Sequence, residues 1–257
     1  MKKNSLLSTI YLWIVTIILY IPIILTVIYS FNDNKSPVYW TGFSMRWYEE
    51  LAHDRSMKEA LINSLILAFS SCGLSILIAT SAALAMRKRE SKWDKIITYL
   101  STLPIMIPEI ILGMVFLGVF SFMNLPFGML TLIIAHTTFC IPYIFSMVKA
   151  RLQGIGTQLE EAAYDLGARP FRVFWDVTLP SILPAILSGA ILAFAMSFDD
   201  VVISIFVTGA STNTLAIKIY TKLKTGVTPE INALATVLLV VTIAVILLSE
   251  ITKKKEE

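Results

Sequence analysis

A chain of 257 residues in which 56% are hydrophobic and only 15% charged lacks the polar surface that a soluble domain of this size requires. Its mean hydropathy of +0.75 and its recurring long apolar stretches mark a polytopic membrane protein. The net charge of +3 is too small to point to nucleic acid, and Cys72 and Cys140, both within apolar runs, read as small buried hydrophobes rather than a disulfide framework.

Lys2 and Lys3 precede an apolar run that reaches about Tyr29 with no small-x-small cleavage site, so the run reads as an uncleaved first span. Six segments have the ~20 residues that a ~30 Å hydrocarbon core demands. They are residues 7–29, 61–86, 96–120, 129–148, 184–207 and 231–251, giving an all-α fold and a single transmembrane domain over 1–257. Pro22 in the first segment, and Pro104, Pro108 and Gly113 in the third, predict kinks. With the N-terminus inside, fourteen of the 21 lysines and arginines fall on the inner side, five of them between Arg87 and Lys95. That excess places both termini in the cytoplasm and the protein in the cell membrane.

The first external loop, residues 31–60, carries Trp40, Phe43, Trp47, Tyr48 and Leu51 among charges at a near-helical period from Ser44 onward. This pattern suits an interfacial helix, because tryptophan and tyrosine favour the membrane–water boundary. It is equally compatible with a surface for an external partner.

The longest polar interruption of the second half runs from Thr157 to Pro184 and lies in the cytoplasm under this orientation. Thr157 followed by Glu160 has the spacing of a capping box, and Glu160 and Glu161 complement the positive end of a helix dipole. Gly167 is placed to stop that helix and Pro170 to start the next piece. The expected helix, residues 158–166, is too short to be stable alone and must dock on something.

Glu161-Ala162-Ala163, three residues, Gly167, nine residues, then Val177-Thr-Leu-Pro180, resembles the EAA motif of ABC-importer permeases. The resemblance implies a type I importer (MetI-like) permease core with a cytoplasmic coupling helix at about residues 157–167. Glu160, Glu161, Ala162, Ala163, Asp165, Leu166 and Gly167 would then engage an ATPase subunit, with Gly167 allowing the sharp turn. ATP and Mg would be bound by that partner, since this chain has no Gly-x-x-x-x-Gly-Lys-Ser/Thr phosphate loop and no cofactor of its own.

Acidic residues inside spans are costly and mark function. Glu109 lies in the third segment and Asp199-Asp200 in the fifth. At ~1.5 Å per residue, Glu109 stands about 20 Å and Asp199 about 22 Å from the cytoplasmic ends of their segments, so the three acids are expected at one level. Adjacent residues differ by about 100° around a helix, so only one aspartate points down a pathway. With no lysine or arginine embedded beside them, the acids favour a cation pathway. No ligand-like cluster surrounds His53 or His136, which argues against a metal.

Ser197–Gly209, Ile217-Lys-Ile-Tyr220, Pro229–Thr236, Trp47-Tyr48, Asn63-Ser64, Pro108-Glu109 and Thr138–Pro142 are similar to the spermidine/putrescine permeases of the same family. That likeness implies a role in polyamine passage for Trp47, Glu109, Ser197, Asp199 and Asp200. It also implies four kinds of partner: a second, homologous permease chain, two cytoplasmic ATPase subunits, an extracytoplasmic polyamine-binding protein, and membrane lipid. Glu109 stands where relatives can have aspartate, which alters carboxylate reach by one methylene. Within the transporter class the rivals are permeases for an amino-acid-like amine or ferric ion. An ion-coupled secondary carrier is the rival outside it, but it leaves the Glu161–Pro180 motif unexplained.

Overall fold

The computed structural model describes residues 4–35, 39–87, 92–226 and 228–253, of which 4–7, 92–94 and 245–253 by backbone alone. Lys2, Lys3, Lys88, Arg89, Lys254 and Lys255 lie outside the described residues. Among the described residues, regular structure is helical, apart from one isolated antiparallel bridge between Asn32 and Phe43. In chain order the helices are α1 (Asn4–Tyr29), α2 (Arg46–His53), α3 (Arg55–Ala85), α4 (Lys92–Met106), α5 (Glu109–Phe122), α6 (Met129–Ile155) and α7 (Gln158–Asp165). They continue with α8 (Pro170–Val173), a π-helical turn (Phe174–Thr178), α9 (Leu179–Asp199), α10 (Val202–Val207), α11 (Leu215–Thr225) and α12 (Pro229–Lys253). The helix α11 fills a stretch for which the sequence carries no span-length signal.

Among the described residues, four helical runs are long and apolar enough to cross a membrane: Ser8–Tyr29, Arg55–Ala85, Met129–Ile155 and Pro170–Asp199. A fifth is the pair Lys95–Met106 and Glu109–Phe122, bent by 109°. Two expected spans therefore depart from straight helices. The third breaks at Ile107-Pro108, because proline has no N–H to donate and drives the preceding residue out of the helical region. The rise per residue along α4 therefore does not carry through to Glu109, and the straight-helix estimate of its depth no longer applies. The fifth starts at Pro170, not at 184, and stops at Asp199, with residues 202–207 forming the separate helix α10.

The chain forms two compact units, residues 1–57 with 219–257, and residues 58–218. In the first, α12 packs on α1 and α2. Trp47 organises the loop before α2. It is only 4% exposed, and its indole N–H donates to the Asn32 carbonyl at 2.6 Å. The Asn32 side chain in turn ties down the backbone at Tyr39 and Thr41 (2.7 and 3.1 Å). Phe31 stacks on Phe43, and Tyr48 shares a 2.6 Å hydrogen bond with Ser30. The helix expected from Ser44 onward is α2, and its tryptophan serves as the anchor of a folded loop.

Lys222 pairs with Asp54 (3.5 Å) and with Glu230, so one ammonium joins the start of α3, α11 and α12. Partial burial pushes the Asp54 carboxyl up, but the Met57 N–H, the Lys222 charge and the Ser56 N–H outweigh it and hold it below its ordinary value. A depressed carboxyl contributes stability above its unfolded pKa of about 4 and loses it as pH falls through the folded value. Thermal unfolding in detergent should therefore show Asp54→Asn destabilised at pH 7. That difference should close as both proteins are taken below about pH 4.

In the second unit α6 lies against α9, with Leu132, Ala135, Ile144, Phe145, Ile182 and Ala193 at the core. A Cβ at Gly189 would stand 3.0 Å from the Ile144 Cα, so the two backbones approach as close as a glycine permits. Helix α4 also packs on α6, while α10 packs on α5. Gly189→Val should lower the thermal midpoint in detergent, by overpacking worth about 1–3 kcal/mol.

Candidate functional site

The break between α9 and α10 gathers polar groups inside an otherwise apolar unit. Asp199 ends α9 and is exposed, whereas Asp200 is 9% exposed and turned inward. A helix that starts leaves its first backbone donors without partners. The Asp200 carboxylate accepts two of them at the start of α10, from Ile203 (3.3 Å) and Ser204 (2.8 Å). Adjacent aspartates thus part company: one closes a helix turn and the other stays open.

His136, on α6 and fully buried, holds the other side of this break. Its Nδ1 lies 2.8 Å from the Ser197 hydroxyl, and its Nε2 lies 3.0 Å from the Ser204 hydroxyl and 3.5 Å from the Asp200 carboxylate. Ser197 also meets Ser71 of α3 at 3.0 Å, and Ser71 donates to the Leu67 carbonyl at 2.7 Å. Ser197 is therefore enclosed in a chain of hydrogen bonds joining α3, α6, α9 and α10. From the sequence, His136 is weighed only as a metal ligand and set aside for want of a cluster, and this structural role is missed. The signal that could have found it is its place in a span, where an ionisable group needs a protein partner. Cys72 and Cys140 are buried free thiols whose sulfurs face the carbonyls of Ala190 and Ala193.

Glu109 is exposed in the first turn of α5, where the helix dipole favours a negative charge. Its helix packs on α10, so the two breaks share a pair of packed elements. Trp47 belongs to the other unit, with its ring enclosed as described above.

A second group surrounds α7. Here Gly167 adopts φ +82°, its N–H bonds to Tyr164, and the Ala168 N–H reaches back to Ala163. That is a Schellman closure, the stop expected at this glycine. Pro170 occupies the start of α8, also as expected. The capping box does not form: Thr157 makes no side-chain cap hydrogen bond. Glu160 instead turns inward, 8% exposed, to Arg87 and the Thr178 hydroxyl. A buried guanidinium outcompetes an exposed N–H for the carboxylate, since a charge-assisted hydrogen bond is the stronger one. Glu161, Ala162, Asp165 and Leu166 remain exposed, Leu166 at 88%, while Ala163 is half-buried.

The family described as "Binding-protein-dependent transport system inner membrane component" matches residues 73–254. The chain belongs to that family. Among its relatives, the spermidine/putrescine transport system permease protein PotC of Haemophilus influenzae is 36% identical over 245 residues, covering 95% of both chains. The putrescine transport system permease protein PotI of Escherichia coli (strain K12) is 40% identical over 228 residues, covering 86% of this chain and 81% of PotI. Solved structures share the fold. A bacterial ABC transporter involved in the import of the acidic polysaccharide alginate aligns with a TM-score of 0.73 at 14% identity, over 98% of this chain and 95% of the other. The MetNI methionine ABC transporter aligns with a TM-score of 0.62 at 21% identity, over 76% and 95%. The chain is a multi-pass transport permease of this family.

Replacing His136 by leucine removes the partner of two hydroxyls and of a buried carboxylate. Such a loss costs roughly 2–4 kcal/mol. The thermal midpoint of His136→Leu in detergent should fall by several degrees. Adding Asp200→Asn to it should cost less than the two single changes together, because no buried charge is then left unpaired.

Proposed function

We propose that this chain is one permease subunit of an ATP-driven polyamine importer. It pairs with a second homologous permease and works with two cytoplasmic ATPase subunits and an extracytoplasmic polyamine-binding protein. Both termini lie in the cytoplasm, which puts α7 and Arg87 on the inner side. The two compact units act as one transmembrane domain. Helix α7 is the coupling helix: its outer face of Glu161, Ala162, Asp165 and Leu166 docks on the ATPase, which carries ATP and Mg.

The observation that carries the cargo assignment is the divergence of Asp199 and Asp200. With Asp200 committed to the α10 backbone and to His136, Asp199 is the open carboxylate at the break, and Glu109 at the neighbouring break is the second. Two spaced carboxylates are complementary to the spaced ammonium groups of a polyamine. The names of the PotC and PotI relatives support the same cargo. Ser197 supports the break from behind, and Trp47 keeps the loop before α2 folded. ATP-driven closure of the ATPase subunits opens the pathway outward, the cation passes from the binding protein to Asp199 and Glu109, and hydrolysis resets the pathway inward.

The test is uptake of radiolabelled spermidine and putrescine by the complete complex in proteoliposomes. Asp199→Asn and Glu109→Gln should each reduce uptake at least tenfold while the chain still assembles with its partners. Wild-type uptake by both variants would overturn the assignment of these acids.

A further inference from the structure

Four segments of the second unit converge on one pair of side chains, Arg87 and Glu160. Arg87 lies two residues beyond the end of α3, with its side chain 9% exposed. One guanidinium nitrogen donates to the Glu160 carboxylate in the first turn of α7, and another donates to the carbonyl of Gly156, which closes α6. Glu160 in turn accepts from the hydroxyl of Thr178, the last residue of the π-helical turn that leads into α9. The widened turn sits where a bond is already missing, since Pro180 has no N–H to give the carbonyl of Asp176.

Stability alone does not account for this pair. A buried ion pair is no more stable than well-packed apolar groups of the same volume, because the desolvation cost offsets the attraction. What it supplies is directional constraint. A planar guanidinium bridging a carboxylate and a carbonyl fixes position and angle at once, which apolar packing does not. Helix α7 has eight residues, too few to hold itself in register. Its outward face is left to Glu161, Ala162, Asp165 and Leu166, and Glu160 is the grip on its inward face.

We infer that Arg87, Glu160 and Thr178 form the latch that transmits displacement of α7 into the membrane helices α3 and α9. The inference rests on the reading of α7 as the coupling helix. Arg87 and Thr178 are positioning residues in this scheme, and Glu160 acts within the chain, with Glu161 and Leu166 facing the ATPase.

The complete reconstituted complex tests it through three readouts: co-purification of the ATPase subunit, ATP hydrolysis, and uptake per ATP hydrolysed. Glu160→Gln and Arg87→Lys should retain the ATPase subunit yet lower uptake per ATP at least tenfold. The paired change Arg87→Met with Glu160→Met leaves no charge buried alone, so it guards against a folding failure. It should show the same uncoupling, because methionines cannot bond to Gly156 or Thr178. Leu166→Asp, on the outer face, should instead release the ATPase subunit. Wild-type uptake per ATP in Glu160→Gln or in the paired variant would overturn the latch. Release of the ATPase by Glu160→Gln would overturn it too, by making Glu160 a docking residue. Retention of the ATPase with full uptake in Leu166→Asp would overturn the coupling-helix reading itself.

Discussion

A helix that starts within an apolar core opens with backbone donors that need partners, and the Asp200 carboxylate answers that constraint at the start of α10. It holds the first turn of α10, and His136 holds it in turn. From this follows the separation of α10 from α9, the open position of Asp199 at the break, and the enclosure of Ser197 and Ser204 around one imidazole. The His136 ring reaches α9 and α10 from α6, and Ser71 extends the chain to α3. The polar network is thus also the joint among four helices.

The same division of labour recurs at the other end of the second unit. Glu160 and Glu161 are neighbours, as Asp199 and Asp200 are, and in each pair one carboxylate is committed to the protein while the other is left outside. On the helix α7 the cause is geometric, since consecutive side chains differ by about 100°. At residues 199 and 200 the cause is a change of backbone, because Asp200 adopts an extended conformation where α9 stops. The inward acids hold backbone and side-chain partners within the protein, and the outward ones remain exposed.

The contrast between the two units follows from what each must hold. The first gathers the two ends of the chain around an aromatic loop and a shared lysine, with Trp47 as its anchor. The second contains both helix breaks and the α7 segment, and it closes around the α6–α9 contact that Gly189 permits. Tight backbone packing there provides a rigid frame against which short helices such as α7 and α10 are held by polar bonds.

Features under local chemical control are written in the order of the residues. Apolar runs of membrane length, the amphipathic α2, the break at Pro108, the stop at Gly167 and the start at Pro170 all rest on neighbours along the chain, so each is legible in the amino-acid sequence. The full six-span arrangement is less so, because Asp200 ends one expected span early and the bend at Pro108 divides another. Which acids are buried is settled by folding alone. Arg87 and Glu160 are 73 residues apart, and His136 and Ser197 are 61 apart. A carboxylate chooses between capping its own helix and pairing with a distant cation according to which partner folding brings within reach. Periodicity along one segment carries no record of that choice.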